Sequence, residues 1–124
     1  MPFCAAKCQY CAFYSEASSG EWIERYVRAL KRELEAVAPR LDPQTVFFGG
    51  GTPSILTPRE LESLLGTVGR LFSRAQDCEF TCECNPDSLT TEKIDILAAA
   101  GVNRVSLGVQ SFQAELRARI GRAV

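Results

Sequence analysis

The stretch TVFFGGGTPSILTPRE, residues 45–60, carries the pattern that decides the fold. Its first four residues, Thr45–Phe48, are a short apolar run with the length and composition of a buried strand. A glycine run follows, and then Thr57-Pro58-Arg59-Glu60 has the spacing of a capping box with proline at the first helical position. The stretch therefore predicts a strand that leads through a glycine loop into a helix, which we expect to run to about Phe72.

A second helix is predicted upstream of this unit. Apolar residues at helical spacing indicate a helix from about Glu21 to Ala38, capped by Ser18 or Ser19 and ended by Pro39. Residues 1–16 have no periodic pattern and are predicted to be an irregular loop. The apolar stripe of the helix, which we expect to face the core, comprises Trp22, Tyr26, Leu30, Leu34 and Val37.

Strand and helix continue to alternate downstream. We expect a strand over residues 79–84, a helix from about Thr91 to Ala100 that Gly101 stops, and a strand over residues 103–110. Alternating strands and helices are typical of a parallel sheet, as in α/β barrels and doubly wound folds.

The last two predicted strands are polar on one face. In residues 103–110 the polar face comprises Arg104, Ser106, Gly108 and Gln110. In residues 79–84, Thr81 and Glu83 lie opposite the face formed by Phe80, Cys82 and Cys84. Strands of a parallel sheet are normally apolar on both faces, because helices or a packed core cover each. Two interpretations stay open: a sheet that lines a polar ligand cavity, and a solvent-exposed face left by an incomplete barrel.

The composition is that of an ordinary globular protein. The chain has 124 residues, which is the size of one domain, and it is 46% hydrophobic and 23% charged. The net charge of −1 gives no sign of steering toward nucleic acid or an anionic membrane. No apolar run approaches the roughly 18 residues of a membrane helix, and the start has no signal-peptide pattern. We therefore expect one domain over residues 1–124, located in the cytoplasm, with neither nucleic acid nor membrane as partner.

Half of the six cysteines stand close together, as Cys4-x-x-x-Cys8-x-x-Cys11. Three thiolates on so short a loop can surround one small inorganic core, and iron–sulfur clusters take thiolate ligands. An ordinary electron-transfer [4Fe–4S] site uses four cysteines, so this loop would leave one iron open to a substrate or cofactor. A structural zinc site is disfavoured because it uses four Cys or His ligands and the chain has no histidine. A disulfide framework is disfavoured because disulfide-dense domains usually lack a core such as the predicted helices supply.

The remaining cysteines belong to the strand over residues 79–84 or to its start. Cys82 and Cys84 share a face with Phe80, so we expect them to be small buried hydrophobic residues. No role is assigned to Cys78.

Together these segments resemble the radical S-adenosylmethionine (SAM) superfamily. The cysteine spacing, with an aromatic residue at Tyr10, is similar to the signature of that family. Three further segments resemble the oxygen-independent coproporphyrinogen III oxidase group, which includes the HemW-type heme chaperones: residues 47–54 (FFGGGTPS), 83–86 (ECNP) and 101–112 (GVNRVSLGVQSF). The resemblance implies a partial parallel (β/α) TIM-like barrel, truncated at both ends in this chain. It also implies a [4Fe–4S] cluster whose open iron chelates the methionine group of SAM, and whose electron cleaves the sulfonium to give a 5′-deoxyadenosyl radical.

The resemblance also assigns roles to individual residues, none of them catalytic. The cluster would be held by Cys4, Cys8 and Cys11. The cofactor-binding residues that it implies are Tyr10, Gly50, Gly51, Thr52, Glu83, Gln110 and Arg122. Glycines directly after a strand are apt, since the backbone can approach a ligand and its N–H groups can meet a carboxylate. An arginine is apt beside the cofactor carboxylate because such hydrogen bonds are charge-assisted, although for Arg122 an exposed position near the chain end is the alternative.

One position separates the subfamilies. The oxidases resemble C-x-x-x-C-x-x-C-x-C, with a fourth cysteine where this chain has Phe13, and Phe13-Tyr14-Ser15 is similar to the HemW type. The favoured function is thus that of a heme chaperone that keeps the cluster and the SAM site. The alternatives are the oxidase reaction, in which hydrogen is abstracted from a porphyrinogen propionate that is then decarboxylated, and an inert fragment. The resemblance places the heme-contacting region beyond residue 124, and the sequence identifies neither the heme recipient nor the electron donor.

Overall fold

Parallel strands form both sheets of the computed structural model, which describes residues 1–17, 20–72 and 78–122. The first sheet pairs two short strands, β1 (Phe3–Cys4) and β2 (Glu16–Ala17). The second has three strands in the order β3 (Thr45–Phe48), β4 (Glu79–Cys84) and β5 (Arg104–Leu107). The predicted parallel α/β arrangement is confirmed. The β1–β2 pair corrects the predicted irregular loop, since strands this short leave no alternating pattern in the sequence.

Helices connect the strands as expected. Helix α1 spans Gly20–Val37 before β3, α2 spans Pro58–Leu71 between β3 and β4, and α3 spans Thr91–Ala99 between β4 and β5. A short helix, α4 (Ala114–Arg119), follows β5. No helix in the described ranges is both long and apolar enough to cross a bilayer.

The helix ends follow the signals in the sequence. The Thr57 hydroxyl accepts a hydrogen bond from the Glu60 backbone at 3.3 Å, and the Glu60 carboxylate accepts one from the Thr57 backbone at 2.8 Å, which completes the capping box. Gly101, with a φ of 82°, takes the left-handed conformation that ends α3. Ser18 and Ser19, the predicted caps of α1, lie outside the described residues.

Strand β5 is shorter than the strand predicted over residues 103–110. After its last residue the Gly108 N–H donates to Cys84 O at 2.9 Å, and the chain then turns, with the Ser111 N–H donating to Val109 O at 2.8 Å. Gln110 has a φ of 67° and is the non-glycine residue with positive φ in the described part of the chain. Because that conformation cannot continue a strand, the expectation that Gln110 belongs to the strand is wrong, and it lies in the turn that follows.

The hydrophobic core lies between the helices and one face of the sheet. Phe80, Cys82 and Cys84 of β4 point into it and are 1%, 0% and 4% exposed. The hydrogen bond with Cys84, together with burial, raises the pKa of the Cys82 thiol and keeps it protonated. Both cysteines are therefore confirmed as small buried residues. The largest share of the surrounding helix side chains comes from α2: Leu61, Leu64, Leu65 and Val68.

Trp22 does not lie in the core, contrary to the prediction. Its side chain is 61% exposed, and the Arg25 guanidinium lies 4.6 Å from its ring centroid. Ile23, the next residue of α1, takes the core-facing position instead and is 5% exposed. Tyr26 is half-buried and meets Phe3 edge-on, with ring centroids 5.2 Å apart.

The opposite face of the sheet carries polar residues and is exposed along β5 but not at Thr81, which is 0% exposed. Arg104 of β5 donates to Glu79 Oε1 at 3.3 Å and lies 3.4 Å from the Thr81 hydroxyl, both on β4. Phe47 of β3, on the same face, is 59% exposed. Within the described residues the sheet does not close into a barrel. Both interpretations of the polar face stay open, because β5 is exposed along its length whereas Thr81 of β4 is buried.

Candidate functional site

The candidate site lies at the carboxyl ends of the parallel strands, which is where open α/β sheets bind ligands. Cys4 is the last residue of β1 and the first of the cysteine loop, residues 4–15, which also contains Cys8 and Cys11 and leads to β2. All three thiols are free and their residues are half-buried. The Cys11 N–H donates to Cys8 O at 3.1 Å, so the second half of the motif forms a tight turn.

Two side chains from other parts of the chain contact these thiols. The Thr52 hydroxyl lies 3.4 Å from Cys4 Sγ, and Arg122 Nη1 lies 3.6 Å from Cys8 Sγ. Among the described residues, no group of three or more Cys, His, Asp or Glu side chains is arranged so that it could hold a metal ion. The structure thus places Cys4, Cys8 and Cys11 on one loop without gathering them around one point. The chemistry of the donor set still fits an iron–sulfur cluster, because free thiols share a loop and a cation lies beside one of them.

The glycine loop after β3, residues 49–52, packs against the start of the chain. The Gly51 N–H donates to Met1 O at 2.5 Å, and the Thr52 N–H donates to Phe3 O at 2.7 Å. A Cβ on Gly51 would lie 2.5 Å from Phe3 O, so a close backbone approach is present, but the approaching atoms belong to the chain itself. The N–H of Gly51, which was expected to meet a carboxylate, therefore binds Met1.

Glu83 faces the glycine loop from β4. Its Oε2 accepts a hydrogen bond at 3.1 Å from the N–H of Gly50, whose φ of 107° only glycine adopts readily. The Met1 ammonium donates to Gly49 O at 2.7 Å. Burial lowers the pKa of this amine, while the charges of Glu83 and Cys4 act in the opposite direction. The Met1 ammonium is thus hydrogen-bonded to Gly49 O, and Glu83 acts on it through its charge.

Arg122 joins the cysteine loop to the residues that follow β5. Its Nη2 donates to Gly108 O at 2.7 Å, and its Nη1 is the atom that contacts Cys8. Burial alone would lower the pKa of Arg122, but the hydrogen bond to Cys8 and the Tyr10 charge outweigh it, and the pKa is raised. Tyr10 is 46% exposed, and burial, followed by the charge of Cys8, raises the pKa of its phenol. Gln110 Nε2 and Arg122 Nη2 would lie 3.3 and 3.4 Å from a Cβ on Gly108, so both side chains border the same point.

A cavity of about 260 Å³ opens beside Arg122, between the residues after β4 and those after β5. Its wall includes Phe112, which is 93% exposed, and Arg117, whose Nη1 donates to Ser111 O at 2.9 Å. Arg117 Nε is buried without a partner in the described part of the chain. No sequence pattern indicates Arg117, because its position in a short exposed helix is typical of a solvated arginine.

Comparison with known families identifies the class of protein. The family model of the Radical SAM superfamily matches the chain over residues 1–124. The chain therefore belongs to the radical SAM superfamily, and this membership implies a [4Fe–4S] cluster and SAM as cofactors.

More particular likenesses lie among proteins of heme metabolism. The chain is 40% identical to the heme chaperone HemW of Bacillus subtilis (strain 168) over 98% of its own length and 33% of that protein. It is 37% identical to the anaerobilin synthase of Escherichia coli O157:H7, over 98% of its length and 28% of that protein. Among solved structures it is similar to the coproporphyrinogen III oxidase HemN from Escherichia coli, a radical SAM enzyme, with 28% identity and a TM-score of 0.89 over 100% of this chain and 30% of that one. The chain thus spans about a third of the length of these relatives.

Proposed function

We propose that this chain holds a [4Fe–4S] cluster through Cys4, Cys8 and Cys11 and binds SAM beside it. The observation that carries the proposal is the contact between Arg122 and Cys8, which are 114 positions apart in the sequence. A contact between such distant residues requires that the cysteine loop and the segment after α4 share one site. Both cofactors are implied by membership of the superfamily.

The donors and acceptors of the site suit the methionine end of SAM. Gly49 O accepts a hydrogen bond from the Met1 ammonium, and the charge of Glu83 acts on the same ammonium, so this acceptor pair would receive the amino group of the cofactor. Arg122 would donate charge-assisted hydrogen bonds to its carboxylate. When bound, the cluster and SAM would supply one-electron radical chemistry. The remaining proposed contacts are Tyr10, Gly50, Gly51, Thr52 and Gln110.

For the protein as a whole we propose a heme chaperone of the HemW type, with heme as ligand and a protein recipient that the chain does not identify. Phe13 supports this subfamily, because it stands where the oxidases have a fourth cysteine, and its side chain is 72% exposed rather than directed into a site. HemW proteins of two bacteria are 40% identical to the chain. The second candidate is oxidative decarboxylation of a porphyrinogen, which the likeness to HemN favours.

We also propose that residues 1–124 are one domain and part of a partial parallel (β/α) barrel of the TIM type. The order β3-β4-β5, with helices packed on one face, is that of consecutive strand–helix units in such a barrel. Val105, on the helix-facing side of β5, is 44% exposed, and a further barrel helix would cover such a position. The cytoplasmic location stays a prediction.

Anaerobic reconstitution with iron and sulfide tests the cofactor site. Reduced protein should give the EPR signal of a [4Fe–4S] cluster that changes on addition of SAM. Cys8→Ser should lose most of the bound iron, whereas the matched control Cys84→Ser, at a buried thiol of the core, should keep it. A folded sample that takes up no iron, or a signal indifferent to SAM, would overturn the proposal and favour the inert fragment.

Heme titration of the full-length protein, which includes the region beyond residue 124, separates the chaperone from the oxidase. The chaperone should bind heme with a shift of the Soret band and should release no CO₂ from coproporphyrinogen III in the presence of SAM and a reductant. Release of CO₂ without heme binding would refute the chaperone and support the oxidase.

A further inference from the structure

Lys93 is a buried lysine to which neither the sequence pattern nor the proposed cofactor site assigns a role. It lies in the first turns of α3 and is 8% exposed. Its ammonium donates to the backbone oxygen of Ser54 at 2.7 Å and to that of Ser88 at 2.8 Å. Among the described residues it forms no salt bridge, so its partners are neutral carbonyl groups.

The two carbonyl groups belong to the two loops that carry the site. Ser54 follows the glycine loop in the turn Pro53–Ile55, and Ser88 lies in the turn Pro86–Ser88 after β4. The same loops are joined by the two serine hydroxyls at 2.6 Å and by the Asn85 N–H, which donates to Ser54 Oγ at 2.9 Å. Lys93 thus lies beneath a closed polar network that bridges the carboxyl ends of β3 and β4.

This arrangement is not what packing alone would select. Burying an ammonium that no carboxylate pairs directly is costly, and burial lowers the pKa of Lys93, although the charges of Cys84, Glu60 and Glu92 act in the opposite direction. Methionine has nearly the same length and would fill the same space without that cost. The buried charge is therefore explained by its two hydrogen bonds, which hold the two loops at a fixed spacing.

We propose that Lys93 is a positioning residue that fixes the glycine loop relative to Glu83 and so sets the affinity of the site for SAM. The inference rests on the proposed cofactor site. Few atoms separate Lys93 from the cofactor site. Ser54 is two residues from Thr52, which contacts Cys4. On the other side of the glycine loop, Glu83 accepts the hydrogen bond of the Gly50 N–H. When the two carbonyls lose their shared donor, the acceptor pair for the cofactor amino group loses its fixed geometry.

The test is a titration of the reconstituted chain with SAM, followed by the change in the EPR signal, with iron content and melting temperature measured in parallel. Lys93→Met should keep its iron but bind SAM about tenfold more weakly, the loss expected of a well-made polar contact. Lys93→Arg, which keeps charge and donors, should stay within about threefold of the unsubstituted chain. The control Lys31→Met removes a lysine that donates to Ser63 Oγ at 2.7 Å, between α1 and α2, and should bind SAM normally.

The outcomes are distinguishable. Normal SAM affinity in Lys93→Met would overturn the role of Lys93 alone, and equal losses in the Met and Arg variants would show that side-chain shape rather than the donor matters, which also overturns it. An unsubstituted chain whose signal ignores SAM would refute the proposed function and this inference with it. Should Lys93→Met not fold, Lys93→Gln replaces it, because the shorter amide cannot reach both carbonyls and the same loss is expected.

Discussion

Replacing Gly51 by alanine should destabilise the chain through a single steric conflict. The new Cβ would lie 2.5 Å from Phe3 O and 2.9 Å from Phe3 C and N, and backbone atoms cannot yield as a flexible side chain could. Relief of the clash would stretch the hydrogen bonds from Gly51 N–H to Met1 O and from Thr52 N–H to Phe3 O. Weakening two such bonds at about 0.5–1.5 kcal/mol each predicts a loss of about 2 kcal/mol in the free energy of unfolding. Thermal unfolding followed by circular dichroism should show a fall of about 6–10 °C.

The chain contains a matched control for this prediction. Gly66 lies in the exposed middle of α2, and a Cβ there would meet nothing within 4 Å. Gly66→Ala should therefore raise the free energy of unfolding by about 0.5–1 kcal/mol, since glycine costs a helix that much relative to alanine. The same chemical change is expected to have opposite signs at the two positions. Equal or greater stability of Gly51→Ala would refute the close approach of the glycine loop to the first strand.

Three further predictions concern the core and the helix ends. Thr57→Ala should lower the free energy of unfolding by about 1 kcal/mol because the capping box is lost, and an unchanged urea midpoint would contradict this. Ile23→Ala should cost about 2–4 kcal/mol and Trp22→Ala less than about 1 kcal/mol, because only the first is in the core; the reverse order in urea unfolding would restore the original prediction for Trp22. Burial, with the Glu33 charge, raises the pKa of Tyr26, so the unfolded chain loses its phenol proton first. The stability that Tyr26 contributes is complete below about pH 10 and should be lost as the pH rises through its folded pKa. In urea unfolding, Tyr26→Phe should therefore flatten the decline of the midpoint between about pH 9 and pH 11. An equally steep decline in the variant would exclude Tyr26 as its source.

The elements of the fold could be predicted because burial acts on side chains with a fixed period. In β4, Phe80, Cys82 and Cys84 were expected on one face and all three are in the core. The wrong predictions concern positions where the conformation or placement of a single residue determines the structure. Trp22 lies at the edge of the apolar stripe of α1, where sequence spacing cannot tell the rim from the centre. Gln110 ends the strand because it adopts a left-handed φ, and the presence of a glutamine does not predict that conformation.

The candidate site was predicted less from pattern than from resemblance. The spacing of Cys4, Cys8 and Cys11 predicts iron–sulfur chemistry, but nothing in it indicates that Arg122 reaches Cys8. Lys93 offered a partial signal, since it precedes Leu97 by one helical turn on the core-facing side of α3. Its acceptors are backbone carbonyls, and no sequence pattern encodes which carbonyls are left without a partner. Contacts with the backbone are thus the part of a site that residue types alone cannot give.

The contacts of the cysteine loop divide its three thiols into two kinds. Cys4 is held by the Thr52 hydroxyl and Cys8 by the Arg122 guanidinium, so each is tied to a different segment at the carboxyl ends of the strands. Cys11 has no side-chain hydrogen bond in the described part of the chain, and its backbone is tied only to Cys8, three residues earlier. Because Cys4 and Cys8 are held by other parts of the fold, gathering the three thiols around the proposed cluster would require movement mainly of Cys11. This difference in side-chain contacts accounts for the arrangement in the described residues, where the three thiols of the proposed cluster site are not gathered around one point.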